Sequence, residues 1–135
     1  MRTINTIIIH CTYTPTNMDV DVDTIRDWHV NERGWSDIGY HFLIRRDGEI
    51  EDGRPVEKAG AHARGHNSTS IGVALAGGMS KNDKPEFNFT WAQMLSLDAL
   101  LSDLQGKHDI TRVIGHNQVS SKDCPCFNVE AFVDQ

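Results

Sequence analysis

Thr6-Ile7-Ile8-Ile9-His10-Cys11-Thr12 is the stretch from which the rest of the chain is read. Three consecutive isoleucines between threonines form a short, β-branched apolar run, and the lack of polar alternation fits a strand covered on both faces. The other segments fall into place around it. Tyr40 to Arg46 is a second strand, and Asp47-Gly48 is a two-residue turn that returns through Glu49 to Asp52 as a hairpin. Ile71 to Ala76 is a strand running into Gly77-Gly78, and Arg112 to Gly115 is the last one.

Helices lie between these strands. Val22, Ile25 and Trp28 recur at three-residue steps behind a cluster of aspartates, which predicts an amphipathic helix ending near Gly34. Thr90 and Gln93 form a capping box, Met94, Leu97, Leu101 and Leu104 share a face behind it, and Gly106 is the expected stop. Residues 60–70 read as a loop. Strands interleaved with helices, plus one hairpin, give an α/β fold with a mixed sheet. With no repeat or linker in 135 residues, a single domain spanning 1–135 is expected.

Composition narrows the function. The chain has 13 Lys plus Arg against 19 Asp plus Glu, a net charge of −6, which argues against nucleic acid as a partner. The run Ile7-Ile8-Ile9 is far short of a membrane span, so no membrane insertion is expected. Met1-Arg2-Thr3-Ile4-Asn5 carries no apolar signal region, which predicts synthesis in the cytoplasm without a signal peptide. Three cysteines are a poor disulfide framework in such a chain, and together with seven histidines they point to metal or catalytic chemistry.

A catalytic zinc takes three protein ligands and keeps one position open for water. His10 closes the first strand, His116 follows the last, and Cys124 lies eight residues further on beside Pro125. Ligands at strand ends along one sheet edge can converge across such a distance in sequence. Spacing alone leaves the alternative open, because a strand-end histidine is more often a satisfied polar residue and His-x7-Cys is not a close-spaced zinc knuckle.

Five stretches occur together and in order: Ile8-Ile9-His10-Cys11-Thr12, Gly39-Tyr40-His41-Phe42, Gly60-Ala61-His62-Ala63, His66-Asn67-Ser68 with Ile71-Gly72-Val73, and Gly115-His116 through Lys122 to Cys124-Pro125. In these the chain resembles the zinc-dependent N-acetylmuramoyl-L-alanine amidases, the family shared by phage lysozyme-type endolysins and peptidoglycan recognition proteins. The resemblance covers residues 6–127. It implies a central mixed β-sheet flanked by helices, with the metal in a surface cleft, and hydrolysis of the amide between N-acetylmuramic acid and L-alanine in peptidoglycan. It implies Zn2+ ligation by His10, His116 and Cys124, catalytic assistance by Tyr40 and Lys122, and substrate contacts from His62 and Asn67.

The chemistry agrees with those roles. Amide hydrolysis needs a nucleophile at neutral pH and stabilisation of the developing oxyanion, which a lysine beside the metal supplies. No His-Glu-x-x-His helix is present, so a glutamate base of that kind is absent. By strand alternation His41 is expected opposite Tyr40, and Cys11 opposite His10 in the core. His29 and His108 read as surface residues. Cys126, two residues after Cys124, is expected to pack inward. One departure stands out: many relatives carry an aspartate two residues after the second histidine ligand, where this chain has Gln118 after Asn117.

The resemblance favours a phage or prophage endolysin, a monomer reaching the cell wall through holin-dependent release. With no basic wall-binding module attached, thin and accessible peptidoglycan is the expected target. Two alternatives remain: a peptidoglycan-binding module without catalysis, and an amidase of wall recycling or interbacterial attack. Cys124 together with Tyr40 and Lys122 favours the enzyme over the binding module.

Overall fold

The computed structural model describes residues 2–133, so Met1 and the last two residues of the expected 1–135 span lie outside it. At its centre is a five-stranded sheet in the order β4-β3-β5-β1-β7. The strands are β1 (Thr6–Cys11), β3 (Phe42–Ile44), β4 (Ile50–Asp52), β5 (Ser70–Leu75) and β7 (Arg112–Gly115). β1 pairs in parallel with both β5 and β7, β3 pairs in parallel with β5, and only β4 runs antiparallel, through the Asp47-Gly48 hairpin. The sheet is therefore mixed. β2 (Thr14–Pro15) and β6 (Gly78–Met79) form a small second ladder.

Every residue of β1 and β5 is buried, as the apolar runs require. Alternation sends Ile7, Ile9 and Cys11 to one face, where they meet Ile71, Val73 and Leu75 beneath Leu97, Leu101 and Leu104 of α2 (Trp91–Lys107). On the other face Ile8 packs with Ala63 and Ile114, while Leu43 and Ala74 pack under Val22 and Ile25 of α1 (Val22–Asp27). The Cys11 expectation follows directly from this geometry. A short α3 (Val129–Val133) closes the described chain.

Several boundaries differ from the sequence reading. α2 starts at the expected capping box, but Gly106 lies inside it; the helix ends when the His108 N–H closes on the Leu104 carbonyl at 2.9 Å. α1 widens after Asp27 into a π-helical turn, Trp28–Glu32, before the left-handed Gly34. The strand expected over Tyr40–Arg46 is shorter and begins at Phe42. Tyr40 and His41 precede it, so strand alternation does not set them on opposite faces. The Tyr40 ring lies 5.2 Å from that of His10, and the His41 ring 5.7 Å from that of His62, which itself touches His10.

Candidate metal centre and active site

Strand register builds the site. His10 points away from the α2 core and is almost wholly buried, with 1% exposure. Because Ile9 pairs with Gly115, the residue that follows β7 arrives next to His10. That residue is His116, which opens a 3-10 turn over His116–Gln118, and its ring centroid lies 4.4 Å from that of His10. The loop beyond brings Cys124 back to the end of β1, where the Cys11 N–H donates to its sulfur at 3.0 Å. The ligand atoms of His10, His116 and Cys124 all lie within 4.8 Å of one another.

These donors fit a metal ion. A tetrahedral zinc with bonds of about 2.0–2.3 Å holds its donors roughly 3.3–3.7 Å apart, and two imidazoles with one thiolate leave a fourth position for water. The electrostatics fit as well, since a ligand must be unprotonated. Burial, with the neighbouring His62, His116 and Lys122, holds the His10 pKa well below its ordinary value, so the ring stays neutral. Burial and Lys122 also lower the His116 pKa. The Cys124 thiol pKa is also lowered, by hydrogen bonding from the Cys11 thiol against the opposing effect of burial, and further by the Cys11 N–H and Lys122.

A cleft of about 200 Å³ opens over the cluster, with Tyr40, Lys122, His29, Trp35 and Arg33 among its walls. Burial raises the Tyr40 pKa, with the Cys124 and Cys11 sulfurs adding to it, so the phenol keeps its proton. Lys122 is exposed at the rim, near enough for its charge to act on both His10 and His116.

His29 is not the surface residue expected. It is 7% exposed, its Nδ1 accepts the Gly39 N–H at 2.9 Å, and its ring packs on Trp35 and Tyr40. It lies four residues after Ile25, and that i, i+4 spacing is the signal that reveals it.

The two residues expected at the substrate are engaged within the protein. His62 lines the cleft, with its Nδ1 2.8 Å from His10 Nε2. The Asn67 Oδ1 accepts the backbone N–H groups of His62 and Ala63, both at 2.9 Å, and so braces the loop. Gln118 turns to the backbone instead; its Oε1 accepts the Gly115 N–H at 2.8 Å and closes the turn that carries His116. Cys126 packs inward, its thiol donating to the Gly78 carbonyl at 3.4 Å.

A buried histidine joined by a half-buried histidine and cysteine, open to a cleft walled by a tyrosine and a lysine, gives an α/β protein the donors for metal-assisted hydrolysis. The chain belongs to the N-acetylmuramoyl-L-alanine amidase family, whose model matches residues 1–127. It is 47% identical over 124 residues to an endolysin of Klebsiella phage KP32, covering 92% of this chain and 82% of that one. The amidase LysC from Clostridium intestinale superposes with a TM-score of 0.85 at 36% identity, over 98% of this chain and 85% of that one. A tyrosine-to-phenylalanine variant of Drosophila PGRP-LB in complex with tracheal cytotoxin superposes with a TM-score of 0.79 at 29% identity, over 93% and 76%. The chain is thus an N-acetylmuramoyl-L-alanine amidase, and its substrate is peptidoglycan.

Proposed function

We propose that this amidase is zinc-dependent and works as a phage-type endolysin, one domain acting as a monomer on the cell wall after holin-dependent release. The convergence of His10, His116 and Cys124 within 4.8 Å is the observation that carries the metal assignment. Similarity to phage endolysins supports the lytic role. Among the described residues no helix is long and apolar enough to cross a membrane, and the −6 charge gives no footprint for nucleic acid.

Bound zinc lowers the pKa of its water to about 7 and so supplies a nucleophile at neutral pH. The chain's own residues do the rest. Lys122 at the rim donates to the oxygen that gains charge as the amide carbonyl is attacked. Tyr40, kept protonated by burial, offers a second hydrogen bond or relays a proton through water to the departing L-alanine amine. The cleft walls orient the muramoyl group and the peptide.

Replacing Cys124 tests the ligand set, because serine does not ionise at neutral pH as a thiol does. The expected result is one zinc per wild-type chain by elemental analysis, with Cys124→Ser losing tight binding and amidase activity together. Full zinc occupancy and full activity in Cys124→Ser would remove Cys124 from the site.

A further inference from the structure

Behind the candidate ligands, polar groups run in single file into the protein. His10 Nε2 lies 2.8 Å from His62 Nδ1, His62 Nε2 lies 3.2 Å from Ser70 Oγ, and the Ser70 hydroxyl donates to the His66 carbonyl at 2.7 Å. All three side chains are buried: His10 at 1% exposure, His62 at 8% and Ser70 at 0%.

The last acceptor fixes the direction of the whole file, because a carbonyl only accepts. Ser70 gives its one hydroxyl proton to His66, so it accepts from His62. Buried between His10 and Ser70, with no carboxylate among the described residues on either ring nitrogen, His62 is favoured as the neutral ring, which then carries its proton on Nε2 and presents a bare Nδ1. His10 must then donate from Nε2, which leaves Nδ1 as its one free lone pair.

We propose that His62 and Ser70 are positioning residues that hold His10 as the Nε2–H tautomer, with Nδ1 turned to the metal. The assignment rests on the reading of His10 as a ligand and deepens it. It replaces the substrate contact expected of His62 with a structural reason for that residue. A metal-bound imidazole whose second nitrogen is anchored is fixed in tautomer and ring orientation and made more basic, and losing such a partner costs ten- to a hundredfold in metal affinity.

The surroundings of His62 fit this role. A Cβ at Gly72 would come 2.6 Å from His62 Cγ, and one at Gly60 would come 2.7 Å from His62 Cδ2. Both positions leave room for the ring by having no side chain. Asn67 holds the His62 backbone through the two hydrogen bonds already described.

Two substitutions separate anchoring from space filling. His62→Asn keeps an acceptor at the δ position in a smaller side chain, whereas His62→Phe keeps the ring and has no acceptor. Zinc affinity is measured by competition with a chromophoric chelator, after thermal melts show which variants are folded. The expected order is wild type, then His62→Asn within a few-fold, then His62→Phe weaker by ten- to a hundredfold. His62→Phe binding as well as or better than His62→Asn would overturn the proposal.

Wild-type protein supplies an independent test that needs no substitution. Long-range proton–nitrogen NMR of the metal-free chain should find the His10 proton on Nε2, and a proton on Nδ1 would contradict the proposal. A wild-type chain that takes up no zinc would refute the metal reading itself. A chain that takes up zinc but gives the wrong order or tautomer would refute only the anchoring file.

Discussion

Lys122 and Tyr40 line the cleft beside the converging donors, and single substitutions separate their roles from metal binding. Lys122→Ala should keep one zinc per chain and lose activity by roughly 10²–10³, the usual cost of removing one donor to an oxyanion. The check is zinc content and turnover measured on the same sample; loss of zinc in step with activity would make Lys122 a metal-site residue instead. The candidate residues were unequally legible. Spacing left His10, His116 and Cys124 open, and only their place among the five stretches selected them. His62 and Asn67 were singled out by the resemblance, but their partners depend on the path of residues 60–70, which composition marks only as loop. Ser70 carried no signal, because its role depends on which ring lies above it. His29 was read as exposed because the three-residue steps from Val22 through Ile25 to Trp28 passed over it, whereas both it and Trp28 face the core.

Elements were read best where one local rule governs them. The start of α2 is such a case: Thr90 Oγ1 accepts the Gln93 N–H at 3.0 Å, and Gln93 Oε1 accepts the Thr90 N–H at 2.9 Å. Thr90→Ala should cost about 1 kcal/mol and lower the melting temperature by roughly 3–5 °C, with activity retained at permissive temperature. Boundaries failed where a tertiary contact overrides the rule, as at Gly106, which the helix passes through, and at Tyr40, which lies outside the strand. The segment before β3 also sets an acid limit. His41 Nδ1 accepts the Gly72 N–H at 3.0 Å and Nε2 donates to the Lys58 carbonyl at 2.8 Å, so a second proton breaks the link to β5. Burial holds the His41 pKa at about 4, below its ordinary 6.5, although the Lys58 hydrogen bond works the other way. Between those values the unfolded chain binds the proton more readily than the folded one. The stabilisation is therefore full above about pH 6.5 and declines as pH falls to about 4. Melting temperature against pH should drop across that window, with a shallower drop in His41→Asn; an unchanged slope would rule out His41 as a contributor.

On the scale of the whole molecule, the parallel pairing of β1 with β5 and β7 matters most. It carries the end of β1 and the start of the chain after β7 to one place, so two histidines far apart in sequence meet without a local motif. The class of fold was legible because a strand buried on both faces demands helices above and below. The walls of the cleft were not, since they come from the turn after β7, the widened end of α1 and the residues before β3. The central claim is that this cleft cuts one particular amide with a metal bound. Purified peptidoglycan should be digested with the metal-stripped protein and with the same protein restored with zinc, and the products analysed by mass spectrometry. The account predicts glycan chains with free lactyl carboxylates and peptides with free L-alanine amines, from the zinc-restored sample alone. New reducing sugar ends, or equal cleavage without the metal, would contradict it.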